Sequence, residues 1–111
     1  MVIYCAHAYG GDAQRKAMTS RTVLALQKAD MNNTYLSPVH ALGWMYDDFS
    51  YEEGMEMCYD LLSTCDKLLV TSEPSRGVML EIAMAEKLHM PVEFLTRRIY
   101  NKYLSIKEKE E

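Results

Sequence analysis

"KLLVTSEPSRGVMLEIAMAEKLHMPVEFL", residues 67–95, decides the fold. "KLLVT" (67–71) is short and apolar, and reads as a buried strand. "SEPSRG" brings the Pro and Gly signals of a turn. Val78, Ile82, Ala85 and then Leu88 or His89 recur at helical spacing and predict an inner helix face. "PVEFL" (91–95) is again short and apolar. Strand, turn, helix and strand in that order make a βαβ unit, and with it a parallel sheet. Glu81 stands one turn into this otherwise apolar helix. A carboxylate there is either a charge suited to the helix dipole or a nucleophile at the mouth of a pocket.

The same alternation extends toward the N-terminus. "VIYCA" (2–6) reads as a first strand, followed by the polar turn "HAYGGD". Residues 12–29 carry apolar or small side chains at 18, 22, 25, 26 and 29, which predicts a helix that Asp12 caps. "TYLS" (34–37) reads as a second strand ended by Pro38. Residues 39–51 read as a loop with a short helix. The stretch 52–65 reads as a helix with Met55, Cys58, Tyr59, Leu62 and Cys65 on its buried stripe. The tail, 97–111, reads as a charged helix with Ile99, Tyr103 and Ile106 on one side and a fraying "KEKEE" end.

Right-handed crossovers then give one α/β domain of the three-layer flavodoxin/Rossmann-like kind. It has four or five parallel strands in an order near 2-1-3-4, with helices on both faces. Such sheets bind ligands at the carboxyl ends of their strands, where the winding reverses. That point lies between the first and third strands, at "HAYGGD" and "TSEPSRG". Both turns lead into helix starts, whose free N–H groups favour an anion such as phosphate. His7 and His40 follow the first two strands at the same edge. Trp44, Tyr46, Phe49 and Tyr51 offer aromatic faces on which a base can stack, or a core or dimer patch.

The 111 residues are 49% hydrophobic, enough for one packed core, and the net charge is −4. That balance argues against binding a nucleic acid polymer or an anionic membrane. No apolar stretch is long enough to span a bilayer. Met1 leads into "VIYCAHA" without the basic start of a secretory leader, so a cytoplasmic protein is expected. Cys5, Cys58 and Cys65 lack metal-like spacing and read as reduced, buried thiols. Neither a metal nor a cofactor is expected.

Three segments together carry a resemblance: "IYCAHAYGGDAQR" (3–15), "CYDLLSTCDKLLV" (58–70) and "PSRGVMLEIAMAEKLHMPV" (74–92). A strand followed by Gly-Gly, an Asp before the third strand, and Ser-x-Gly-x-x-x-Glu opening a helix occur in order. In this the chain resembles the nucleoside 2-deoxyribosyltransferase superfamily, above all its small phage and bacterial members. It is similar also to the deoxynucleoside 5′-monophosphate N-glycosidases. The resemblance implies that Glu81 attacks the anomeric carbon of a deoxyribose, forming a glycosyl-enzyme that water or a second base resolves. It puts Asp60 nearby, to orient the sugar or move a proton, and Tyr4 beside the nucleophile. Gly10, Gly11, Ser75 and Gly77 would line a phosphate or sugar site. Arg15 and Arg76 would reach a phosphate. It also implies a homo-oligomer, and a host-cytoplasmic setting for a phage member.

The chain departs from the pattern in places. The transferases have a further acid shortly before the nucleophile; here Glu73 is the nearest, at a different spacing. They also complete the site with an asparagine from a neighbouring subunit's C-terminal end, for which Asn101 is the candidate. Two other readings therefore stand beside glycosyl transfer. One is a binding protein that holds a nucleotide-derived signal, such as a cyclic ADP-ribose variant, without turnover. The other is hydrolysis of an NAD-like glycosidic bond, by analogy of fold with TIR-type enzymes.

Overall fold

The computed structural model describes residues 1–110. In chain order the elements are β1 (Val2–Ala6), α1 (Ala13–Ala29), β2 (Thr34–Leu36), α2 (Pro38–Leu42), a 3₁₀ helix (Gly43–Asp48) and α3 (Tyr51–Ser63). β3 (Lys67–Val70), α4 (Arg76–Lys87), β4 (Val92–Phe94) and α5 (Arg97–Glu110) follow. All pairings are parallel and the order is β2-β1-β3-β4. Tyr4 stands opposite Leu68, and Ala6 opposite Val70.

Alternation along the strands divides the core. Tyr4, Ala6, Leu68 and Val70 face one side, where Leu62 of α3, Val78, Ile82 and Ala85 of α4, and Ile99 and Tyr103 of α5 close over them. Ile3, Cys5 and Leu69 face the other side, with Val23 and Leu26 of α1. One face is thus covered by α1 and the other by three helices. The stripe predicted for α1 is corrected. Thr19 is the buried residue of that helix, while Met18, Ala25 and Ala29 are exposed. Thr19, Val23 and Leu26 follow i, i+4, i+7 spacing, and the Thr19 hydroxyl is satisfied by donating to the Arg15 carbonyl at 2.7 Å.

The helix ends follow their capping residues. Asp12 caps α1 by accepting from the Gln14 N–H. Ser75 caps α4 by accepting from the Val78 N–H. α3 begins at Tyr51 because Ser50 and Glu53 form a reciprocal capping box. Pro38 opens α2 rather than merely ending a strand, with Ser37 as its cap. The inner face of α4 ends at Ala85: Leu88 and His89 are exposed, and His89 turns the chain out of the helix at φ 58°. α5 is helical through Glu110, and of the "KEKEE" end expected to fray Glu111 lies outside the described residues. There Lys107 donates to the Tyr103 hydroxyl at 3.2 Å. Among the described residues no helix is long and apolar enough to cross a membrane.

Candidate functional site

A cavity of about 340 Å³ opens at the carboxyl ends of β1 and β3. That volume is typical of small-molecule sites, roughly 300–1,000 Å³. Two side-chain hydrogen bonds, beside the Thr71 N–H bond to the Ala6 carbonyl, tie the loops after these strands together. The Thr71 hydroxyl donates to the Ala6 carbonyl at 2.9 Å, and the Ala8 N–H donates to the Ser72 hydroxyl at 2.9 Å. The polar part of the wall comes from His7, Gly10 and Arg15 on one side, and Ser75, Arg76 and Glu81 on the other. Most of the apolar part comes from residues 38–58, with Met45, Tyr46, Phe49, Tyr51 and Met55 prominent, and Tyr9 and Val78 complete it.

Glu81 is 5% exposed. Ser75 starts α4, and Glu81 lies nearly two turns in, on the same face as Val78 and Ile82, so it points at the sheet rather than at solvent. Its Oε2 accepts from the hydroxyl of Tyr4, which rises from the middle of β1 on the face that α4 covers. Burial lifts the Glu81 carboxyl from its ordinary 4.5 to about 7, and the Tyr4 bond opposes that rise. Burial, and then the charge of Glu81, hold the Tyr4 hydroxyl far above its usual range, so it stays a donor. The Cys58 thiol reaches the same pair from α3. Burial, and then Glu81, push it up to about 11, which keeps it a neutral thiol.

Gly10 and Gly11 turn the chain after β1 at φ 59° and 78°, a region costly for residues with a Cβ. A Cβ on Gly11 would stand 3.1 Å from the Tyr46 ring. Arg15 Nη1 comes to 3.8 Å from where a Gly10 Cβ would be. The Arg76 guanidinium lies over the Tyr51 ring, 5.0 Å from its centroid. Gly77 leaves room for the Tyr51 hydroxyl and the Met55 sulfur, 3.4 and 3.7 Å from its missing Cβ.

Several expected site residues stay outside the cavity wall. Asp60 is exposed. α3 turns Cys58 and Leu62 inward, and at 100° per residue Asp60 lies on the opposite face. His40 is exposed and bonded to the Ser37 and Ser20 hydroxyls at 2.7 and 2.6 Å. Trp44 is 71% exposed, its indole N–H donating to the Ala41 carbonyl at 3.2 Å. Gly11 acts through Tyr46 rather than on the wall itself. Glu73 and Asn101 are exposed, and Glu73 meets Arg98 at 3.8 Å.

The residues that sequence reasoning missed are Cys58, assigned only to a core stripe, and Tyr9. Tyr9 meets Tyr46 edge-on at 5.5 Å, and its hydroxyl donates to the Gly43 carbonyl at 3.3 Å. An aromatic beside a Gly-Gly turn was its available signal. Among the described residues no group of three or more His, Cys, Asp or Glu is arranged to hold a metal ion. On the wall, Glu81 is the sole carboxylate among the described residues. No curated protein matches the chain. Over residues 1–95 the sequence matches the family described as a domain of unknown function (DUF7768), and the chain belongs to that family.

Proposed function

We propose that the protein cleaves or transfers the N-glycosidic bond of a 2′-deoxynucleoside, or of its 5′-monophosphate, through Glu81. The observation that carries this reading is the carboxylate of Glu81, held by Tyr4 on the wall of a cavity that also presents Arg15, Arg76 and the start of α4. A Glu81 oxygen would attack C1′ while the C1′–N bond breaks and its electron pair leaves with the base. The glycosyl ester is then opened by water or by a second base. Ionised Glu81 favours the positive charge that develops on the sugar, and in a dry site this attraction is strong. The fixed Tyr4 donor keeps one carboxylate oxygen engaged, which leaves the other to react. A phosphate would meet Arg15, Arg76 and the free N–H groups of α4. The base would lie among Met45, Tyr46 and Phe49.

The direct test is chromatography of the protein incubated with deoxynucleosides and their monophosphates. Free base released by the wild-type chain and absent with Glu81→Gln supports the reading. Release by both chains at one rate removes Glu81 as the nucleophile.

A second reading, sequestration of a nucleotide-derived ligand such as a cyclic ADP-ribose variant, is favoured by the missing second carboxylate. Retaining glycosidases use two, and Asp60 is not on the wall. A ligand removed from solution and returned intact on denaturation would support it. The proposal also includes a cytoplasmic setting and a homo-oligomer, for which the Met- and Tyr-rich stretch over residues 52–65 is the candidate surface. A monomer mass by light scattering at micromolar concentration would sink the oligomer.

A further inference from the structure

His7 follows directly on β1 and is 7% exposed. Its position is fixed from both sides by the Ala6 and Ala8 bonds to the loop after β3. The ring is fixed as well, because Nδ1 lies 2.8 Å from the Ala8 carbonyl oxygen. A carbonyl oxygen only accepts, so Nδ1 carries the hydrogen. In the neutral ring the other nitrogen, Nε2, is therefore bare. Nε2 has no hydrogen-bond partner among the described residues, yet no side-chain nitrogen sealed from solvent lacks one. Nε2 thus keeps open surface, and the space that His7 borders is the cavity.

The neighbours favour the neutral ring. Burial is the main cause that lowers the His7 pKa and Arg15 adds to it, while the bond to Ala8 opposes them. The other titratable groups on the wall are Tyr9 from the loop after β1, Glu81 and Arg76 from α4, Cys58 and Tyr51 from α3, and Tyr46 from the 3₁₀ helix. Oε2 of Glu81 is engaged by Tyr4, its other oxygen is the one that attacks C1′ in the glycosidic reading, and both arginines are donors only. An O–H group entering this cavity therefore meets a nitrogen lone pair with a preset direction.

We infer that His7 is the hydroxyl acceptor of the cavity, its bare Nε2 receiving a hydrogen bond from an O–H group of the bound sugar or of the water that resolves the glycosyl-enzyme. This rests on the glycosidic reading of Glu81. In the water case the balance is complete. The water oxygen bonds to C1′, the C1′–Oε bond breaks and returns its electron pair to Glu81, and the water proton passes to Nε2. The imidazolium then gives that proton to the base anion released in the first step, or to solvent.

Long-range ¹H–¹⁵N NMR of the full chain reads the first part directly. At pH 7 His7 shows a protonated Nδ1 and a bare Nε2, and the Nε2 signal moves when 2′-deoxynucleosides or their 5′-monophosphates are added. A hydrogen on Nε2 in the free protein, or an Nε2 signal that none of these probes moves, overturns the inference. Kinetics of two variants separate the sources. For a sugar hydroxyl, His7→Ala weakens ligand binding about tenfold, and His7→Gln, which keeps an acceptor oxygen, restores it. For water, His7→Ala slows only the opening of the glycosyl-enzyme, so kcat falls by about 10²–10⁴, KM falls with it and kcat/KM is unchanged; His7→Gln does not rescue, and the acidic limb of kcat for that step is lost. A His7→Ala protein that matches the wild type in both overturns the inference while leaving Glu81 in place. An Nε2 signal that moves without any base released keeps His7 and removes the enzymatic reading.

Discussion

The hydroxyl of Tyr4 donates to Oε2 of Glu81 across 77 positions of sequence, joining the middle of the first strand to the fourth helix inside the core. The carboxyl carries its raised pKa into the stability of the fold. Folding raises it from 4.5 to about 7, so the folded chain holds a proton that the unfolded chain releases. The stabilisation is complete below pH 4.5 and is lost as pH rises through 7. At 1.36 kcal/mol per pH unit the span corresponds to about 3 kcal/mol. Glu81→Gln is neutral throughout, so it loses this slope and is the more stable chain at pH 8. Urea unfolding of both proteins at pH 5 and pH 8 measures the difference; parallel slopes would contradict it.

Tyr4→Phe removes the donor and leaves the carboxyl buried. The Tyr4 bond holds the Glu81 pKa down, so the carboxyl midpoint moves above 7 in the variant. Stability at pH 8 falls by about 1–3 kcal/mol, and less at pH 5, where the carboxyl is neutral. A ¹³C titration of the Glu81 carboxyl reads the midpoint.

The two glycines after β1 separate strain from contact. Gly10→Ala meets only the unfavourable φ and one arginine nitrogen at 3.8 Å, and loses about 1 kcal/mol. Gly11→Ala adds a 3.1 Å approach to the Tyr46 ring. It therefore melts lower than Gly10→Ala and also weakens ligand binding by displacing a wall residue. Calorimetry and ligand titration on the pair of variants test both statements.

Asp60→Asn is expected to leave stability within about 0.5 kcal/mol and base release unchanged, because the side chain is exposed on the far side of α3 from Cys58. A tenfold fall in rate would mean that the helix rotates on binding ligand. Arg76→Met is expected to weaken a 5′-monophosphate about 10–100-fold and to spare the unphosphorylated nucleoside. Isothermal titration with the two ligands tells them apart.

The strand order was legible because each strand is a short apolar run and each crossover a separate helix. The start of α4 was legible because Ser75 and Gly77 flank it. Residues 37–50 were less so. Ser37-Pro38 signals a helix start as well as a strand end, and a 3₁₀ turn has no long apolar period. The pair of Tyr4 and Glu81 was suggested by resemblance, since nothing local brings positions 77 apart together. Cys58 was hidden because an inward thiol has the same pattern in a core as on a cavity wall. The surroundings of Asp60 turned on one helical phase, and a two-residue offset from Cys58 is enough to reverse it.

The cavity wall has two origins. His7, Arg15 and Glu81 come from three separate elements at the sheet edge, whereas most of the apolar lining comes from one stretch between residues 38 and 58, with Tyr9 and Val78 outside it. Recombination within that single stretch would change which ligand fits and leave the reactive groups intact. On the proposed reading the fold keeps most of the choice of ligand on one replaceable cassette, and divergence among relatives should concentrate there while the sheet edge stays fixed.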